Sequence, residues 1–155
     1  MKEFVKSFEY AIKGIAQTFI QERSLRFHIT FAIYMFCYLL IYDFFEVTKA
    51  DWIAIILSTI VVISAEIMNT AVENAVDLST QEINPFAKMA KDASAGAVLV
   101  CAIGAVIVGV IVLWQPEAFE KMYLYYKEHI YMLVIFLISL VISYFFIFKI
   151  FKKSK

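Results

Sequence analysis

Residues 93–114 run for 22 positions without a charged side chain. A helix needs about 20 mostly apolar residues to cross a hydrocarbon core about 30 Å thick, and a run of this length and purity reads as a membrane span. Three more runs have the same character. Residues 27–45 are apolar apart from His28 and Asp43, residues 52–72 carry no charge until Glu66, and residues 130–148 carry none at all. Composition agrees: 63% of the chain is hydrophobic and 18% is charged, whereas soluble domains are nearer about 45–50% and about 25%. Fifteen Phe and nine Tyr exclude a polar, disordered chain. The expected fold class is therefore all-α, an integral membrane helical bundle. The first 22 residues are charged and interrupted, so no cleavable signal peptide is expected there. Cys37 and Cys101 lie inside apolar runs and read as packing residues, not as a disulfide framework or a zinc site. The net charge is zero, and no nucleic-acid partner is expected.

Orientation follows from where the Lys and Arg side chains fall. Lys2, Lys6, Lys13, Arg23 and Arg26 precede the first run, Lys88 and Lys91 separate the second and third, and Lys149, Lys152, Lys153 and Lys155 follow the fourth. Only Lys49, Lys121 and Lys127 fall on the other side. Both termini are therefore expected in the cytoplasm. Trp52 and Trp114 then mark the outer boundary, with Tyr123, Tyr125, Tyr126 and Tyr131 near them, as an aromatic belt requires.

Residues 2–21 read as an amphipathic helix lying on the membrane surface. At about 100° per residue, Phe4, Phe8, Ile12, Ile15 and Phe19 share one face, and Lys2, Glu3, Lys6, Lys13, Gln17 and Gln21 the other. Tyr10 is an aromatic side chain on the polar face, either turned to solvent or meeting something polar above the membrane. Asn84-Pro85 has the form of a helix start, with Asn as the N-cap and Pro at the first helical position. The third spanning helix is then expected to begin before the membrane and to carry Lys88, Lys91 and Asp92 outside it.

Chemistry is concentrated where the second run ends. On a helix, Glu66, Asn69, Thr70, Glu73 and Asp77 fall within about 100° of one another. Asp77 and Glu73 could be a solvated face. Glu66 could not, because it lies 14 residues after Trp52, about 21 Å along the axis. That leaves it one to two turns below the inner surface, where an ionisable group is costly and marks function by default. The topology gathers Glu22, Glu73, Asp77, Lys91 and Asp92 at the same boundary. Carboxylates there suit Mg²⁺, which takes one or two of them and completes its shell with phosphate and water. A deeper carboxylate suits a general base acting on an alcohol. Together these parts fit phosphoryl transfer from a soluble nucleotide to a lipid hydroxyl. The four glycines, Gly14, Gly96, Gly104 and Gly109, form no phosphate-binding loop. An intramembrane proton or cation relay is the competing reading, although transporters place polar groups at the midplane of several spans.

The stretch E-I-M-N-T-A-V-E-N-A-V-D at residues 66–77 resembles the signature E-x-x-N-S/T-A-x-E-x-x-x-D of the prokaryotic diacylglycerol kinase family, which includes the undecaprenol kinases of Gram-positive bacteria. Two further pieces match in order: Y-x-x-K-G at Tyr10 to Gly14, followed by Glu22, and A-K-D-x-x-x-G-A-V-L from Ala90 to Leu99. The resemblance covers about residues 4–115. It implies a homotrimeric, ATP-dependent lipid kinase of the bacterial plasma membrane, with three spans per protomer and sites between protomers. It implies Glu66 as the catalytic base and Asn69 as its support. Glu22 and Glu73 would hold Mg²⁺ bound with ATP, and Tyr10, Lys91 and Asp92, with Glu82, would contact the nucleotide. Asp77 matches the last motif position, with a structural or a catalytic role. Undecaprenol is favoured over diacylglycerol, because the third piece is closer to the Gram-positive branch. Residues 1–115 then form the kinase domain. Residues 116–155 are an addition, and its span at 130–148 offers no side chain able to hold a metal or nucleotide. Catalysis is expected to survive without it.

Overall fold

The computed structural model describes residues 2–80 and 82–149, and within them the chain is mostly helical, with no strand. Six helices follow one another: α1 (Lys2–Gln21), α2 (Arg23–Ile41), α3 (Lys49–Ser79), α4 (Pro85–Leu113), α5 (Pro116–Glu128) and α6 (Ile130–Phe148). Four of them, α2, α3, α4 and α6, are long and apolar enough to cross a membrane. This is the all-α membrane bundle that the apolar runs require.

α1 leaves its apolar face open: Phe4, Phe8, Ile12 and Ile15 are all exposed, as suits a helix lying in a membrane surface. It stops at Glu22, the only residue between α1 and α2, whose extended backbone (φ −105°, ψ 117°) turns the chain. α2 therefore begins at Arg23, four residues earlier than the apolar run, and ends at Ile41. Tyr42 and Phe44 stack beyond its end, and Phe44 is buried there.

α3 starts with a capping box, in which Thr48 Oγ1 accepts from the Asp51 amide and the Asp51 carboxylate accepts from the Thr48 amide. Each cap satisfies a backbone donor that the first turn leaves without a helical partner. The helix runs on for 31 residues, which carries its polar stripe out past the apolar stretch. At the start of α4, Asn84 Oδ1 accepts from the amides of Phe86 and Ala87 and Pro85 takes the first position, as the Asn-Pro pair predicts.

α3 and α4 pack along their lengths, α2 lies on α3, and α6 lies on α2 and α5. Among the described residues α6 does not pack against α3 or α4. Buried side chains are few and sit on these contacts: Leu25 and Ala32 of α2, Ile55 and Val62 of α3, Val98 and Val112 of α4. Most large apolar side chains point outward, which is ordinary where the solvent is lipid. α5 does not show in the pattern of apolar runs. It is a short helix opened by Pro116, and its Ala118 is buried. It joins a cluster in which Tyr125 meets Tyr42 and Phe44, and Tyr38 hydrogen-bonds Tyr126. The bundle thus has an aromatic end and, opposite it, a charged end.

Candidate functional site

The charged end is built around the last four turns of α3. Glu66 is 5% exposed, although it is an acid. Its carboxylate is held from α2: Ser24 Oγ donates to Glu66 Oε2 at 2.8 Å, and His28 Nε2 lies 3.3 Å from Glu66 Oε1. Ser24 and His28 are one helical turn apart, so both reach the same neighbour. A buried acid needs such partners, since burying it without them costs several kcal/mol, on the order of magnitude of a whole domain's margin. Thr70 is also buried and donates back to the Glu66 carbonyl at 3.1 Å.

The next turn forms a second group. Asn69 Nδ2 donates to Glu73 Oε1 at 2.8 Å, and Ser94 Oγ of α4 donates to Asn69 Oδ1 at 2.6 Å. One carboxylate oxygen of Glu73 is thereby fixed, which orients the other. The amide of Asn69, the residue that the resemblance implies as the support of Glu66, is bonded to Glu73 and Ser94. The third group lies further out. Lys91 pairs with Asp77, and these two line a groove with Glu82, Lys88 and Asp92. Glu82 and Asp92 are exposed on its rim.

Glu22 sits at the elbow before α2, half-buried, with its carbonyl accepting from the Arg26 amide at 3.3 Å. Tyr10 is exposed on α1. Among the described residues no three His, Cys, Asp or Glu side chains converge as a metal shell. A shell of two carboxylates finished by phosphate and water needs no third acid, so Glu22 and Glu73 fit the donor chemistry of Mg²⁺.

An apolar groove of about 470 Å³ runs between α2, α3 and α4. His28 lines it, with Phe31, Val62, Ala105 and Val106, and Trp114 lies among its further residues. Ser58 and Thr59 also line it, but both hydroxyls are donated to the Ile55 carbonyl, at 3.0 and 2.8 Å. In the sequence alone His28 is only an interruption of an apolar run, and Ser24 does not stand out. The available signal was their spacing: two polar side chains at i and i+4 at the start of an apolar helix.

Comparison with known proteins adds the following. The family model described as prokaryotic diacylglycerol kinase matches residues 9–113. An undecaprenol kinase of Bacillus subtilis is 41% identical over 113 residues, covering 72% of this chain and 89% of that one. A diacylglycerol kinase of Synechocystis is 36% identical over 111 residues, covering 71% and 62%. A diacylglycerol kinase of Escherichia coli K12 is 32% identical over 114 residues, covering 72% and 88%. All three alignments leave more than a quarter of this chain unmatched.

Proposed function

This chain belongs to the prokaryotic diacylglycerol kinase family and is a membrane lipid kinase, and from that premise we propose that it transfers the γ-phosphoryl group of ATP to undecaprenol at the cytoplasmic face of the bacterial plasma membrane. The observation that carries the reading is the setting of Glu66: a buried carboxylate held by His28, where His28 also lines an apolar groove. A lipid whose tail occupies the groove brings its hydroxyl to that end.

Glu66 then accepts the hydroxyl proton. The alcohol oxygen attacks the γ-phosphorus of ATP, the bond from that phosphorus to the β–γ bridging oxygen breaks, and ADP leaves with the electron pair. Ser24 and His28 hold the carboxylate in place during the transfer. Glu22 and Glu73 would hold Mg²⁺, with Asn69 orienting Glu73. Bound there, the ion would neutralise charge on the phosphoryl oxygens. Lys91 and Asp92, with Glu82 and Tyr10, form the nucleotide side of the site. Asp77 holds Lys91 in position through its ion pair.

Undecaprenol is favoured over diacylglycerol for two reasons. The Bacillus subtilis relative carries that name. The groove also spends its own hydroxyls on the Ile55 carbonyl, which leaves few donors for the ester carbonyls of a diacylglycerol and suits a hydrocarbon tail. Val100, Ile107 and Ile111 of α4 are exposed and are available to further copies of the chain, in keeping with a homotrimer. A relay or transport role has less support, because α4 and α6 carry no charged side chain in their apolar stretches. The test is radiolabelled ATP with the purified protein and a panel of undecaprenol, shorter polyprenols and diacylglycerol. Undecaprenol should be labelled fastest. Labelling of diacylglycerol in preference would overturn the substrate assignment, and labelling of no lipid would overturn the kinase reaction proposed for Glu66.

A further inference from the structure

α6 lies outside the stretch that the family matches, and yet its inner end is tied to the first helix of the chain. We propose that α6 is a brace for the elbow between α1 and α2, with Arg26 as the positioning residue, and that it acts on nucleotide binding without touching the nucleotide. The proposal rests on the reading above that Tyr10 and Glu22 serve the nucleotide side.

The elbow is one residue wide, at Glu22. Tyr10 lies twelve residues before it, about 18 Å along α1. A tilt of about 10° at Glu22 therefore moves Tyr10 by about 3 Å, and an error of about 1 Å in a site can cost on the order of 100-fold in rate. Something has to fix the angle. α1 also touches α3, but Thr18 is its only buried residue among those described.

Arg26 supplies the fixing contact. It is 3% exposed. Its Nη1 donates to the carbonyls of Phe19 at 2.9 Å and Ile20 at 2.7 Å, in the last turn of α1. Its Nε and Nη2 donate to the Ile147 carbonyl at 3.2 and 3.0 Å, in the last turn of α6. The final carbonyls of a helix lack intrahelical donors, and the helix dipole favours a cation there. One guanidinium thus serves two helix C-termini at once, which its planar fork of donors permits. Two other contacts hold α6 to the same partners. The Phe19 and Phe146 rings lie 5.9 Å apart. Deeper in the membrane, the Tyr34 hydroxyl bonds Ser139 Oγ at 2.8 Å and Ser143 Oγ at 3.0 Å. These set the height and rotation of α6 against α2, and so place Ile147 under Arg26.

The experiment uses the full-length chain with Phe146→Ala, with Ser139→Ala/Ser143→Ala, and with Arg26→Lys, which keeps the charge and loses the fork. Two quantities are read: the KM values for ATP and for lipid beside kcat, and amide hydrogen exchange of residues 10–21. A brace predicts that Phe146→Ala raises the KM for ATP about tenfold and speeds exchange in residues 10–21 about as much, with kcat and the lipid KM within threefold. Arg26→Lys should do more and the serine pair less. Unchanged exchange in residues 10–21 for all three variants would overturn the brace, and so would a rise in lipid KM without a rise in ATP KM. Hydrogen exchange is read whether or not a lipid is phosphorylated, so failure of the kinase reaction and failure of the brace are separate results.

Discussion

α3 and α6 both cross the membrane and both end at the charged end of the bundle, but they contribute in opposite ways. α3 contributes side chains: Glu66, Asn69, Glu73 and Asp77 each have a partner on another part of the chain or on the next turn. α6 contributes a backbone carbonyl, that of Ile147, and two serines that hold its register. Side-chain chemistry can be read from the order of residues. A main-chain carbonyl looks the same at every position, so its use shows only when the helices are placed.

The two contributions can be separated by substitution. The largest effect is expected at Glu66. Glu66→Gln keeps the size and the hydrogen-bonding capacity but cannot accept the proton, and positioned acid–base catalysis is worth about 10²–10⁴-fold. Turnover should fall by that much in a folded variant, and turnover measured with saturating ATP and lipid checks it. Unaltered turnover would remove the base role from α3.

The next effect concerns the Mg²⁺ site proposed at Glu22 and Glu73. Asn69→Ala frees the Glu73 carboxylate to rotate, and loss of a group that orients a metal ligand costs about 10–100-fold in affinity. The Mg²⁺ concentration for half-maximal rate should rise by that factor, and Glu73→Ala should raise it further. If Asn69→Ala instead lowers kcat with normal Mg²⁺ dependence, Asn69 supports Glu66, as the family resemblance implies.

Ser24→Ala tests how far α2 governs α3. A hydrogen bond to a charged group contributes about 1.5–3 kcal/mol when buried, and the second donor, His28, remains. A fall of about tenfold in kcat is expected, with the Mg²⁺ dependence unchanged. The smallest effect is expected for Tyr34→Phe. Hydrogen bonds between membrane helices average about 0.6 kcal/mol, so unfolding in detergent should shift slightly while the lipid KM stays constant. A large loss of turnover here would place α6 in the lipid site and end the contrast between the two spans.

Much of this architecture was legible in the residues. The four apolar runs mark four spans because a bilayer accepts little else, and Asn84-Pro85 marks the start of α4 because its cap chemistry is local. Glu66 stood out because an acid so deep needs a reason. Ser24 and His28 did not stand out, since their role depends on which helix lies beside α2. α5 escapes such reading because 13 residues with five charged side chains among aromatics carry neither the length of a span nor a clear period. The expectation that the fourth run is expendable rested on its side chains alone, and the Ile147 carbonyl is outside what such reasoning can weigh.

The bond from Arg26 to Ile147 also has a place in time. Its two ends are 121 residues apart in the chain. At synthesis rates of about 5–20 residues per second, about 6–24 seconds separate the two ends on the ribosome. During that interval Arg26 has the carbonyls of Phe19 and Ile20 within reach, while α3 and α4 are made and can already pair. The acidic stripe and its neighbour are thus available before the elbow of the surface helix acquires its last acceptor, which comes only once α6 has been made.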